Sequence, residues 1–499
     1  MSDQCPRPLS LILITVDCLR SDHVGFAGYG RPTTPFLDLL ARESIVFPTA
    51  IVSGAPTYYS LPALLASRYP LDLGRDVVGL APGEPSLATV LQDAGYATAA
   101  FCAGNPYLTR RFGYAQGFDV FCDFLSEKEQ PAATELPTEP PRVRTRLNRK
   151  LEGWASKSKS LKRFYDDLYF EYCQRFATPP VASVDELRRF PSADVLIQQA
   201  LGWLNSAAGR PFFLWMHFMD PHAPYYPVVE ALRLMGDEAT ANRARYQNAY
   251  WNREGSAEKR FHPYRKQIVT LYDAGIRWID TQVAHLVDSL RHLQRWDDCV
   301  FVLTADHGEE FLEHGGRFHS PNKVTEELIR VPLLLLVPGQ EGKRAITPFG
   351  LIHLSPTLLD ILSIDSPSKF RGQSYWQKLH EQTGDKEVAV TECVTGATNP
   401  FHRKDRLGPR ILAVREKRFK VVYDFGVGQE TLYDLERDPQ ELHPLPTDAE
   451  LGVRARLLSY ANRHLVESLQ GRDQQLRCRA LIQELMLEWQ KPDVATLST

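Results

Sequence analysis

The segment LSLILITV, Leu9 to Val16, is almost wholly apolar and runs straight into an acidic residue, Asp17. Eight residues are too few to cross a bilayer, which takes about 20 in a helix. No basic stretch precedes the run and no small-residue cleavage site follows it, so a secretory leader is not expected. A buried β-strand is the better reading. Short apolar runs of this kind then recur. Ala97–Ala103, Phe212–Met219, Cys299–Thr304 and Pro332–Val337 read as further strands. Between them lie stretches with helical spacing, at Thr34–Ser44, Ser60–Ala66, Ser86–Ala94 and Ile268–Arg291. Strand–helix alternation predicts an α/β fold, a large mostly parallel sheet sandwiched by helices.

The chain has 499 residues, more than one compact core usually holds. Three regions are expected: a catalytic α/β unit over 1–375, a small antiparallel β subdomain over 376–445, and a helical tail over 446–499. The small sheet would be built from Val388–Glu392, Arg410–Arg415, Phe419–Tyr423 and Thr431–Asp434. Within the first unit, residues 125–190 break the pattern. Glu127–Pro141 is rich in Glu and Pro, and Arg142, Arg144, Arg146, Arg149, Lys150, Lys157, Lys159, Lys162 and Arg163 follow. This reads as a solvated basic helical insertion, or alternatively as a lid or dock for an anionic substrate or lipid surface. The formal net charge of −3 gives no global bias toward nucleic acid or membrane, so any anion site must be local. Eight cysteines lie scattered without C-x-x-C spacing, which fits reduced thiols in a cytoplasmic protein.

Four clusters carry chemistry. Asp17 follows a buried strand, at the carboxyl edge where open α/β sheets place ligands; alone it is equally a turn residue. Asp306 and His307 also follow an apolar strand, and an Asp–His pair suits a divalent cation with oxygen and nitrogen ligands. His314 and His319 come soon after. A third cluster, Met216 to Tyr225, presents His222 close to two prolines, suited to a general acid or an oxyanion donor; the alternative is a proline-stiffened turn with His217 in the core. In the fourth, Thr57 lies just before a helix, where free N–H groups favour a bound anion. Its hydroxyl suits attack on sulfur or phosphorus, or serves as a helix cap. Asn105 also follows a strand, as a substrate contact or a turn residue.

In order, these clusters resemble the sulfatase branch of the alkaline phosphatase superfamily. The likeness runs from Ile12 to about Glu441, apart from the insertion. Thr34-Pro35-Phe36-Leu37-Asp38-Leu39-Leu40-Ala41 resembles the family's Thr-Pro-x-x-Asp-x-Leu-Ala. Leu64-Leu65-Ala66-Ser67-Arg68-Tyr69-Pro70 resembles its Leu-Leu-Thr-Gly-Arg-Tyr-Pro. Asp306-His307-Gly308-Glu309 and Glu326-Glu327-Leu328-Ile329-Arg330-Val331-Pro332 match its metal loop and the strand after it. Leu432-Tyr433-Asp434-Leu435-Glu436-Arg437-Asp438-Pro439-Gln440-Glu441 matches its C-terminal signature.

The resemblance implies an alkaline-phosphatase-like fold and a hydrolase of sulfate or phosphate esters. It implies one divalent cation (Ca, Mg, Mn or Zn) held by Asp17, Asp306, His307 and Thr57. Family members carry Cys or Ser, converted to formylglycine, where this chain has Thr57, and Arg where it has Leu61. Relatives with an unmodified Thr include phosphodiesterases and phosphoethanolamine or glycerophosphate transferases, which use the alkoxide directly. Thr57 is therefore the expected nucleophile, with His222 or His319 protonating the leaving oxygen and Asn105, His314 and Arg20 on the substrate side. The family's Asp-Asp is Asp17-Cys18 here, which removes one ligand. A second cation site from Asp220, His222, His314 and His319 is the less favoured alternative. The expected partner is a small anionic ester, sugar- or lipid-linked, and not nucleic acid. A phospho-group transferase and a non-catalytic binding protein with the same fold are the competing readings.

Overall fold

The computed structural model describes residues 8–74, 77–125, 168, 172, 183–207, 209–237, 239–252, 262–381, 387–394, 408–469, 478 and 482. Most of the basic insertion expected over 125–190, and most of the helical tail beyond residue 469, lie outside the described residues.

The large sheet is built on β1 (Ser10–Val16), β2 (Ile45–Ile51), β3 (Ala97–Cys102), β4 (Val120–Cys122), β5 (Phe212–Phe218), β6 (Cys299–Ala305) and β9 (Arg330–Leu336). A two-stranded ribbon of β7 (Glu310–Phe311) and β8 (Arg317–Phe318) stands apart, and the short β10 (Lys343–Arg344) and β11 (Phe349–Gly350) extend the edge at β2. The order is β10-β2-β9-β6-β1-β5-β3-β4, with β11 beside β2. Every pairing is parallel except the two made by β9. β1, β5 and β6 are buried at every residue, as the unbroken apolar runs require of central parallel strands.

Around the sheet lie α1 (Pro35–Leu40), α2 (Thr57–Ala66), α3 (Leu87–Asp93), α4 (Ala193–Ser206), α5 (Val229–Leu234), α6 (Ala241–Trp251), α7 (His262–His292) and α8 (Leu354–Ile361). The long α7 buries an apolar stripe that includes Ile268, Leu271, Ile279, Val283, Leu286 and Leu290, a 3.6-residue periodicity. The second sheet is an antiparallel meander of β12 (Val388–Val394), β13 (Arg410–Glu416), β14 (Phe419–Asp424) and β15 (Gln429–Asp434). Leu457 and Ala461 of α9 (Leu451–Leu469) join its core beside Leu412, Val414 and Leu432. The two sheets are stitched together where Glu392 N–H donates to the Ser53 carbonyl at 2.8 Å and Thr391 Oγ1 donates to the Val52 carbonyl.

β2 is absent from the expectations. Pro48 lies inside it, and proline interrupts a ladder. The structure accommodates it with a register shift between Phe47 and Ala50 opposite β9. α2 begins at Thr57, three residues earlier than expected.

Candidate functional site

Register brings the distant clusters together. Val16 pairs with Ala305 on one side and with Phe218 on the other. The residues that follow these strand ends, Asp17, Asp306 and Met219, therefore emerge side by side at the carboxyl edge. β2 ends at the same edge and feeds the loop that delivers Thr57 as the first residue of α2. Gly308 passes so close to the Glu327 carbonyl that a Cβ would lie 2.0 Å from that oxygen, which ties the Asp306–His307 loop to the turn before β9.

Thr57 Oγ1 lies 3.4 Å from Asp17 Oδ2 and 3.4 Å from His307 Nε2. His307 Nε2 lies 3.6 Å from Asp17 Oδ1 and 3.6 Å from Asp306 Oδ2. The Nδ1 side of His307 faces the Gly308 carbonyl at 2.8 Å. A carbonyl only accepts, so Nδ1 carries the proton and Nε2 turns its lone pair toward the carboxylates. Asn105 Nδ2 donates to Asp17 Oδ2 at 2.8 Å. Asp17, Asp306 and His307 are fully buried, and Thr57 is nearly so.

Such a group asks for a cation. Burial works against charge on Asp17, yet His222, a hydrogen bond from His217, and His307 hold its carboxyl well below the usual range. Burial and the neighbouring Asp17 carboxylate push Asp306 up. Asp306 Oδ2 is buried without a hydrogen-bond partner. Two adjacent carboxylates, an imidazole lone pair and a hydroxyl, with one carboxylate oxygen unpartnered, fit a hard divalent ion.

His222 and His319 stand on the open side. Their rings are 5.1 Å apart, and the His319 ring lies 4.6 Å from that of His307. His319 Nδ1 lies 3.2 Å from Glu309 Oε1. Burial opposes charge on His319, but Glu309 prevails and lifts it to about 9. Burial lowers His222.

Two expected substrate residues are engaged elsewhere. Arg20 directs its guanidinium to Asp22, Glu313 and the Glu309 carbonyl. His314 pairs with Glu327 at 2.9 Å. Asp220, expected in the alternative second site, is held by Arg188 at 2.9 Å. Three side chains were passed over instead. His217, placed in the core by the alternative reading of its cluster, is fully buried there and reaches Asp17 Oδ2 with Nε2 at 3.4 Å, while its Nδ1 lies 2.8 Å from Thr15 Oγ1. A polar ring within an apolar strand, three residues before Asp220, was the signal. Cys18, noted only as a lost ligand, points its thiol at Asp17 and His319. Glu309 holds His319.

Comparison with known proteins agrees. The family model described as Sulfatase matches residues 10–364, and that of the N-sulphoglucosamine sulphohydrolase C-terminal region matches 313–458. An arylsulfatase of Clostridium perfringens is 24% identical over 93% of this chain and 95% of its own length. A multifunctional alkaline phosphatase superfamily protein of Trinickia caryophylli is 22% identical, over 94% of this chain and 96% of its own. The crystal structure of a phosphonate monoester hydrolase from Silicibacter pomeroyi shares the fold with a TM-score of 0.63 at 18% identity, covering 94% of this chain and 96% of that one. The chain belongs to the sulfatase family of the alkaline phosphatase superfamily, the hydrolases of sulfate and phosphate esters.

Proposed function

We propose that this hydrolase works by direct attack of Thr57 on the sulfur or phosphorus of a small anionic ester, through a covalent threonine intermediate. The observation that carries the reading is the convergence of Thr57 Oγ1 with Asp17 and His307 in a buried pocket at the head of a helix.

Asp17, Asp306, His307 and Thr57 would hold one divalent cation. When bound, it lowers the pKa of the hydroxyl and neutralises charge on the ester oxygens. The chain supplies the rest. Asn105 fixes Asp17, and the Gly308 carbonyl fixes the His307 tautomer. Burial excludes water and strengthens every charge interaction at the reacting centre. Thr57 Oγ releases its proton to solvent water and bonds to sulfur or phosphorus as the ester bond breaks. The leaving oxygen takes a proton from the His222–His319 pair, with His319 the better donor because Glu309 favours its charged form. Threonine has a single hydroxyl, so the intermediate has one exit. Water attacks the same sulfur or phosphorus, releases sulfate or phosphate and restores the Thr57 hydroxyl.

The test is Thr57→Ala beside Thr57→Ser, assayed on nitrophenyl sulfate and on the mono- and diester nitrophenyl phosphates. The alanine variant should lose roughly three orders of magnitude or more in kcat while keeping its melting transition. The serine variant should retain activity. Acid-quenched enzyme should carry one sulfo or phospho group on the peptide containing Thr57. Undiminished turnover by Thr57→Ala would end the nucleophile assignment.

A further inference from the structure

A second group of donor atoms stands beside the Asp17–Asp306–His307 group, and Cys18 reaches both, with Sγ 3.0 Å from Asp17 Oδ1. The side chains of Cys18, His222 and His319 each offer a donor atom, and these atoms lie within 4.8 Å of one another. Cys18 is fully buried and takes a left-handed backbone conformation, φ 62°, which a residue with a Cβ rarely adopts. Its Sγ lies 3.4 Å from His319 Nδ1. Two ligands on one tetrahedral zinc, with Zn–S about 2.3 Å and Zn–N about 2.1 Å, stand about 3.6 Å apart. Glu309 supplies a second, independent sign. Its side chain is wholly buried, Oε1 lies 3.2 Å from the same His319 Nδ1, and Oε2 has no hydrogen-bond partner.

We infer that Cys18, His222, His319 and Glu309 form a second cation site, softer than the first and suited to zinc, beside the Asp17–Asp306–His307 group. The inference rests on the reading of that group as a cation site. A sulfur, two imidazole nitrogens and a carboxylate oxygen make a four-ligand set of the kind zinc takes. His222 is prepared for the task, since its Nδ1 faces the Ala223 carbonyl, which leaves the Nε2 lone pair available.

The competing use of these residues is a Cys–His–Glu nucleophile system. That arrangement needs the thiol on one ring nitrogen and the carboxylate on the other. Here both face Nδ1, as neighbouring ligands of one ion do. A zinc held there would supply charge stabilisation to the leaving oxygen, the role otherwise taken by a proton from His222 or His319. The Asp-to-Cys departure at position 18 then exchanges a hard ligand for a soft one instead of merely deleting a ligand.

The test is metal content and spectrum, which do not depend on turnover. Metal-stripped full-length protein is titrated with Co2+, and separately with Zn2+ followed by elemental analysis. Wild type should bind two equivalents, and the cobalt protein should show a thiolate-to-cobalt charge-transfer band. Cys18→Ala and Cys18→Ser should each bind one equivalent without the band. Asp306→Ala should bind one equivalent and keep it. A single equivalent in wild type, two equivalents without the band, or two equivalents in Cys18→Ala would overturn the inference. So would a band that disappears with Asp306→Ala, since that makes Cys18 a ligand of the first ion. A failed Thr57→Ala test alongside two bound ions would sink the nucleophile reading alone.

Discussion

Two buried ionic clusters in this molecule are built on opposite rules. Where the small sheet meets the turn before β9, Lys420 is wholly buried, with Nζ 2.7 Å from Glu441 Oε1, 3.3 Å from Glu326 Oε1 and 2.6 Å from the Val324 carbonyl. Arg415 bonds the other oxygen of Glu326, and Glu441 accepts the Glu326 N–H. Two cations face two carboxylates, and the cluster neutralises itself. At the carboxyl edge of the large sheet, Asp17, Asp306 and Glu309 are equally buried, but among the described residues only imidazoles pair with them. Glu326 Oε1 also lacks a hydrogen bond yet keeps the Lys420 ammonium 3.3 Å away, whereas the open Asp306 Oδ2 and Glu309 Oε2 have no described Lys or Arg paired with them. Burying an unbalanced carboxylate costs stability, so a cluster that persists with its acceptors open is built for something the chain does not supply.

The largest expected effect comes from balancing the second cluster artificially. Asp306→Asn removes one of two adjacent carboxylates while keeping the shape. Turnover should fall by about three orders of magnitude, as for loss of a ligand that acts only in the reaction. The metal-free variant should unfold at the same or a higher denaturant midpoint than metal-free wild type, by on the order of 1 kcal/mol. A clear loss of stability would mean that the open cluster is as structural as the closed one. Unbalancing the first cluster should do the reverse. Lys420→Met leaves Glu326 and Glu441 facing each other and should cost about 3–5 kcal/mol in chemical denaturation, with kcat of the folded enzyme unchanged. If kcat falls and stability holds, the contrast between the clusters fails.

The same contrast explains what the sequence made legible. Periodicity places Asp17 and Asp306 at the sheet edge and Thr57 beside a helix start, but leaves Asp17 equally a turn residue and Thr57 a helix cap. Their roles as ligands and nucleophile come from the resemblance of the motifs to the family. The four strands of the small sheet were also legible, each to within two residues of its ends. His217 was not, because a histidine inside an apolar strand looks like core until register places it against Thr15 and beside Asp17. β2 was missed because a proline stands in it, and the bulge that rescues the strand depends on β9, nearly 300 residues away. Arg20 and His314 were drawn toward the substrate by their place in the motif. Their actual partners, Asp22 with Glu313 and Glu327, are set by loop conformation, which no periodicity encodes.

The weakest effect probes the boundary between the clusters. His314 sits in the loop after His307, on the functional side, yet it pairs with Glu327 as a structural residue would. The hydrogen bond that His314 donates to Glu327, with burial working against it, raises His314 to about 9 from an ordinary value near 6.5. A folded pKa above the unfolded one means that the pair contributes fully below about pH 6.5, and that the contribution is lost as pH rises through 9. The side chain is 18% exposed, so solvent screens the pair in part and the contribution should be about 1 kcal/mol. Wild type and His314→Gln should therefore differ in denaturant midpoint at pH 6 and converge by pH 9.5, with kcat the same in both. A variant that instead loses activity at every pH, with no stability difference at pH 6, would move His314 out of the structural class and into the reacting cleft.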